Sequence, residues 1–370
     1  MNVQKFLQQR NVPAHRRERC RELGEEIAIH LHVLGTTLGD LQKPRAPCEQ
    51  RRVERLVAAV EQVPGDCVEP HPRSIDFLRG HFLTGEELSG TDLAALLERA
   101  EDLREGREKQ KGADALAGRS VALVFEMPST RTRVSFEVGV AELGATPVVL
   151  RGDEMQLARG ESIADTARVM SRYVSAIVIR SGSHTIVSEL AESASVPVIN
   201  ALTPTHHPCQ ALADLLTLKE RFGDLDGLRL AYVGDGNNVA RSLAILGGLA
   251  GVEVWIASPP DYALEDGHGA TLTDDPQVAV EGADAVYTDV WVSMGDEAEA
   301  ERRVAALSPY RVDAELLAGA ADRAIVLHCL PAHPGEEITE EMLYGERSAV
   351  WDQAENRLHA QKALLERLLG

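Results

Sequence analysis

The stretch Phe125-Glu-Met-Pro-Ser-Thr-Arg-Thr-Arg-Val-Ser-Phe136 couples the end of one regular element to the start of another through a polar turn. Val121 to Phe125 is an unbroken apolar run of strand length, and apolar residues recur at helical spacing from Thr132 to Leu143. Ser129, Thr130, Arg131, Thr132 and Arg133 therefore stand at a helix start, where the first N–H groups are unpaired and the positive end of the dipole emerges. Hydroxyls and guanidinium forks at such a point suit a phosphate. An N-cap hydroxyl followed by two solvated arginines is the plainer alternative.

Working outward, Pro147 to Leu150, Ala176 to Ile179, Val196 to Asn200, Val252 to Ala257, Ala285 to Trp291 and Ala324 to Leu327 read as further strands between helical patterns, an α/β chain with parallel sheets. Arg180 ends one strand at its carboxyl side, where open α/β sheets bind ligands, although a surface ion pair would look the same. Pro208 opens a helix at the position where its missing N–H costs nothing, which places His207 at that helix start and Gln210 one turn in. An imidazole there is kept neutral and donates to a carbonyl oxygen as charge grows on it. Asp289, at another strand end, is suited to an ammonium, with Ser293 and the backbone around Met294 suited to a carboxylate. Cys329 follows a strand, and exposure beside a phosphate site would favour its thiolate. Asp352 to Leu369 is an amphipathic helix expected to pack back on the first domain.

The 370 residues exceed one ordinary core, and two domains are expected. No apolar run reaches membrane-spanning length, and a formal net charge of -20 argues against nucleic acid as partner. The five cysteines, Cys20, Cys48, Cys67, Cys209 and Cys329, form no CxxC pair, which favours a reduced cytoplasmic protein over a disulfide framework or a metal site. Residues 1–70 carry 11 Lys+Arg and 10 Asp+Glu, so the acidity belongs to the rest of the chain. Arg16, Arg17, Arg19 and Arg21 precede the apolar Ile27 to Leu38, but intervening Glu22, Glu25 and Glu26 oppose a targeting peptide. For this extension, taken as residues 1–72, an accessory segment and a mis-assigned translation start both remain open. Gly234-x-Gly236-x-x-Val239 is most of a dinucleotide fingerprint, yet Val239 replaces the closing small residue and Ser258-Pro-Pro replaces the ribose-binding acid.

Ser129 to Arg133, His207-Pro-Cys-Gln210 and His328-Cys-Leu-Pro331 together resemble, in order, three signatures of the aspartate/ornithine carbamoyltransferase family. The resemblance runs from about Phe82 to the C-terminus. It implies two doubly wound parallel-sheet α/β domains joined by interdomain helices: a carbamoyl-phosphate domain over 73–207, covered by the helix 352–370, and an ornithine domain over 208–351. Carbamoyl phosphate would be held by Ser129, Thr130, Arg131, Thr132, Gln156 from a neighbouring subunit, Arg180, His207, Gln210, Cys329, Leu330 and Arg357. The amino acid would be held by Asn238, Asp289, Ser293 and Met294, the last three in a loop that resembles the family's ornithine-binding loop. Arg131, His207, Cys329 and Asp289 would carry the chemistry, with no cofactor and no metal. The assembly would be a homotrimer, or a multiple of trimers. Ala158, where glycine is expected, and Pro334, where many relatives carry arginine, depart from the pattern. The alternatives are a carbamoyltransferase for putrescine or an acylated ornithine, an NAD-binding oxidoreductase and a catalytically silent relative.

Overall fold

A computed structural model describes residues 80–155, 160–292 and 297–370. In chain order the first half contains α1 (Gly90–Glu105), β1 (Ser120–Phe125), α2 (Thr130–Glu142), β2 (Thr146–Arg151), α3 (Ile163–Met170), β3 (Ala176–Arg180), α4 (His184–Ser193) and β4 (Val198–Leu202). Its four strands are all parallel, in the order β2-β1-β3-β4. The central strands β1 and β3 are buried along nearly their whole length, as continuous apolar runs must be when helices cover both faces of a parallel sheet. Phe82, where the family resemblance begins, bridges to Ile199 and so adds to the β4 edge.

The second half contains α5 (Pro208–Phe222), β5 (Arg229–Val233), α6 (Asn238–Leu249), β6 (Glu253–Ala257), β7 (Thr271–Thr273), α7 (Pro276–Val280), β8 (Ala285–Thr288), α8 (Ala300–Leu307), α9 (Ala314–Leu317), β9 (Ile325–His328), α10 (Glu340–Tyr344) and α11 (Val350–Leu369). Here the parallel order is β7-β6-β5-β8-β9. Each sheet reverses its winding once, between β1 and β3 and between β5 and β8. The crevice outside the carboxyl ends of the strands at such a reversal is where α/β sheets hold ligands.

Two helices carry the junction. From Pro208 to Leu218 every residue of α5 is buried, as expected of a helix enclosed on all sides. It packs against α11, α6 and α1, while α11 also lies across α1 and α2. Close approach of α2 and α11 depends on Gly139, because a Cβ there would lie 3.3 Å from side-chain carbons of both Leu358 and Lys362. The buried Lys362 Nζ donates to Glu142 Oε2 at 2.8 Å across the same contact. Helix α2 begins two residues before the point suggested by apolar spacing, since its first turn is polar. Leu364 of α11 is fully buried in the core of this junction. Leu364→Ala should destabilise the fold by about 3 kcal/mol, the usual scale for emptying a core leucine site. A urea-unfolding midpoint unchanged from wild type would contradict the packing role of α11.

Candidate active site

The polar turn after β1 places Ser129 as the N-cap of α2 in an extended conformation, yet no side chain caps this helix and no acid occupies its first turn. Helix α5 likewise opens at His207 without a side-chain cap or a first-turn acid. Ser89 and Asp92 form a capping box on α1 and Ser162 caps α3, whereas α4 shares the open start of α2 and α5. The α2 start thus presents unpaired N–H groups and a positive dipole end; α5, whose own first N–H groups are largely paired or absent at Pro208, adds a second dipole end. Arg357, reaching from α11, joins them by donating from Nη2 to Thr132 Oγ1 and from Nη1 to Gln210 Oε1, both at 2.8 Å. Arg180 Nη1 lies 3.4 Å from Ser129 Oγ. Burial, together with the charges of Arg357 and Arg131, lowers the Arg180 pKa to about 10, which leaves it cationic at neutral pH. The buried Nε atoms of Arg180 and Arg357 and the buried His207 Nδ1 have no hydrogen-bond partner among the described residues. A polyanion supplies acceptors and countercharge to such a cluster at once.

His207 is buried, and its backbone N–H donates to Ser242 Oγ at 2.8 Å, tying α5 to α6. Burial and the nearby charges of Arg357 and Arg180 hold its pKa well below the ordinary histidine value, so the ring is neutral. At the other end of the crevice, Cys329 Sγ donates to Asp289 Oδ1 at 2.8 Å. Asp289 Oδ2 accepts from Asn237 Nδ2 at 2.8 Å, and Asn237 in turn caps α6. Burial and the Asp289 carboxylate raise the Cys329 pKa well above the ordinary thiol value, outweighing Arg357. A Cys329 thiolate is therefore disfavoured, first by burial and then by the carboxylate beside the sulfur. Leu330 follows in a left-handed conformation, its N–H donating to His328 Nδ1 at 2.8 Å, and His328 Nε2 lies 3.1 Å from Glu337 Oε1.

Sequence comparison agrees with this geometry over nearly all of the described chain. The family model for the aspartate/ornithine carbamoyltransferase carbamoyl-P binding domain matches residues 80–220, and that for the Asp/Orn binding domain matches residues 226–368. The chain belongs to the aspartate/ornithine carbamoyltransferase family. It is 55% identical over 303 residues to an ornithine carbamoyltransferase of Acidothermus cellulolyticus, covering 78% of this chain and 96% of that one. An ornithine carbamoyltransferase of Methanoculleus marisnigri is 50% identical over 302 residues, covering 79% and 98%. Among solved structures, the ornithine carbamoyltransferase of Pyrococcus furiosus superposes with a TM-score of 0.74 at 46% identity, covering 78% of this chain and 96% of that one. Two sheets of four and five parallel strands are the architecture this family likeness calls for.

Of the residues singled out in the sequence, Ser129, Thr130, Arg131, Thr132, Arg180, His207, Gln210 and Arg357 gather around the two helix starts, and Cys329 lies within electrostatic reach of Arg180 and Arg357, while the Leu330 side chain packs against the core of the second sheet. Asp289 joins Cys329. Asn238 sits one step away, its Nδ2 donating to Thr203 O at 2.6 Å in the turn before His207. Gln156, Ser293 and Met294 lie outside the described residues. The sequence reading passed over Asn237, whose signal was its place before the α6 helix, and over Asp214, an acid on the otherwise apolar α5. It also left the Gly234-x-Gly236 turn open to a dinucleotide. A Cβ on Gly236 would lie 2.6 Å from Tyr262 O and 2.7 Å from Leu264 N, so the space beside that glycine is filled by the chain's own backbone. Replacing Asp289 by Asn should lower the Cys329 pKa and speed its alkylation by iodoacetamide at pH 8 on the order of tenfold, one pKa unit per decade of thiolate. Mass spectrometry of the Cys329 peptide reads this directly, and an unchanged rate would remove Asp289 as the cause.

Proposed function

We propose that the protein transfers the carbamoyl group of carbamoyl phosphate to the δ-amine of L-ornithine, giving L-citrulline and phosphate. The observation that carries this reading is the crevice itself, with three guanidinium groups at one end and the Asp289–Cys329 pair at the other. Arg180, Arg357, Ser129, Thr132 and the α2 start take the phosphate, with Gln156 as a further contact from a neighbouring subunit. Arg131 and the neutral His207 donate to the carbonyl oxygen as it gains negative charge. Gln210 and the Leu330 carbonyl fix the carbamoyl nitrogen. The neutral amine forms the new C–N bond, the C–O bond to phosphate breaks, and the proton released from the nitrogen leaves on the departing phosphate. Asp289 and Cys329 orient that nitrogen, while Asn238, Ser293 and Met294 hold the amino-acid end. Rate enhancement then comes mainly from proximity and preorganised charge.

The 73–207 and 208–351 division, with 352–370 returning to the first domain, follows from the same reading. Val134 and Val138, one turn apart on α2, and Val148 on β2 are exposed apolar residues of the first sheet domain. They support a homotrimer with this domain at its contacts, the arrangement that would bring Gln156 to a neighbour's site. A cytoplasmic place in arginine biosynthesis fits this chemistry, and no helix among the described residues is long and apolar enough to cross a membrane.

Phosphate release from carbamoyl phosphate with ornithine, putrescine, N-acetylornithine or aspartate as acceptor, each carbamoylated product identified by mass, tests the acceptor. Ornithine should lead by a factor of at least ~100, because a site built for a polar group rejects analogues lacking it. Equal turnover of putrescine would contradict the assignment of Ser293 and Met294. Arg131→Ala should cost about 3 kcal/mol in kcat/KM, the scale of a lost electrostatic donor. Near-wild-type kinetics with unchanged circular dichroism would remove Arg131 from the site.

A further inference from the structure

Asp214 has no role in the reading above, yet it lies at the crossing of both substrate regions. It is fully buried on α5, and its Oδ1 accepts from Gln210 Nε2 at 2.8 Å and from Gln353 Nε2 at 2.7 Å, with Tyr287 Oη at 3.5 Å. Each of these amides has its other end committed. Gln210 Oε1 accepts from Arg357 Nη1 at 2.8 Å, and Gln353 Oε1 accepts from the backbone N–H of His328 at 2.9 Å. A single carboxyl oxygen therefore closes a chain of hydrogen bonds running from Arg357 through Gln210, Asp214 and Gln353 to His328, the residue before Cys329. That chain links α5, α11 and β9, three elements that no short stretch of sequence holds together.

We propose that Asp214 is a positioning residue of this enzyme, fixing the side chain of Gln210 and the His328–Cys329 turn relative to one another so that the two substrates meet in register. The proposal rests on the carbamoyl transfer reading and deepens it. Without Asp214, both amides lose the acceptor that orients them, and each is free to rotate away from Arg357 or from the His328 N–H. Acceptor capacity rather than net charge is what the geometry uses, since Oδ2 is buried without a partner among the described residues. Burial, opposed by these hydrogen bonds, brings the Asp214 pKa up to about 7, consistent with a side chain that serves as readily when neutral. Asparagine keeps one such oxygen; alanine keeps none.

The test compares full-length wild type with Asp214→Asn, Asp214→Ala, Gln353→Ala and the Asp214→Ala/Gln353→Ala double variant, using citrulline formation for kcat and both KM values and thermal unfolding for stability. Asp214→Ala should raise KM for carbamoyl phosphate and lower kcat, with kcat/KM falling about 100-fold, as misplaced reacting groups do. Asp214→Asn should stay within about fivefold of wild type, because it retains an acceptor able to serve both amides. Gln353→Ala should lower kcat while leaving KM for carbamoyl phosphate close to wild type, and the double variant should have the same kcat as Asp214→Ala, since both act through one path. If Asp214→Ala does not fold, the Asn and Gln353 variants still decide. A fall in unfolding temperature with unchanged kinetic constants would reduce Asp214 to a structural brace and overturn the proposal, as would an Asn variant as impaired as alanine or additive losses in the double variant. Absence of citrulline formation by wild type would overturn the carbamoyl transfer reading instead.

Discussion

Mutual repulsion among Arg131, Arg180 and Arg357 is the constraint to which the rest of the structure answers. Among the described residues none of the three has a carboxylate partner, and two of them are almost wholly buried. Burial adds a desolvation cost to this repulsion, and both lower the Arg180 pKa. Such a cluster persists only because unrelated elements over-determine it. Arg180 is the last residue of a buried strand, Arg131 lies in the first turn of α2, and Arg357 projects from a helix anchored by Lys362, Leu364 and the close contact at Gly139. Part of the stability held in the core is thus committed to keeping this cationic cluster in shape.

Beyond the guanidinium groups the electrostatic plan changes. His207 and Cys329 are both groups that ionise in ordinary proteins, and both are held neutral here, one by burial near cations and the other by burial against a carboxylate. Asp289 is held in place by Asn237, the Cys329 thiol and the Val290 N–H. The result is a gradient from a strongly cationic end, across neutral donors, to a single carboxylate. An acyl phosphate and an amine would fit along such a gradient in one orientation only.

Much of this was legible in the sequence, for reasons that can be given residue by residue. Strands such as Val121 to Phe125 and Ala176 to Ile179 read clearly because parallel strands covered on both faces are uninterrupted apolar runs. Ser129 to Arg133 stood out because charged and hydroxylic residues were concentrated at a strand-to-helix turn. Arg357 did not stand out by itself: it lies on an ordinary amphipathic helix, 147 residues from Gln210, and only the tertiary fold brings the two together. Asn237 and Asn238 are adjacent, and nothing local says which of them faces Asp289. A Cys329 thiolate depended on exposure, and burial together with the Asp289 contact, 40 residues away and so invisible in the local sequence, keeps the thiol neutral.

The most direct measurement is a calorimetric titration of the full chain with an inert phosphonate analogue of carbamoyl phosphate, repeated at increasing salt and with Arg180→Gln. The account predicts saturable binding of one analogue per chain, weakening as salt rises and falling by at least ~10-fold in the variant, the scale of a lost charge-assisted hydrogen bond. Binding that is indifferent both to salt and to the loss of Arg180 would contradict it.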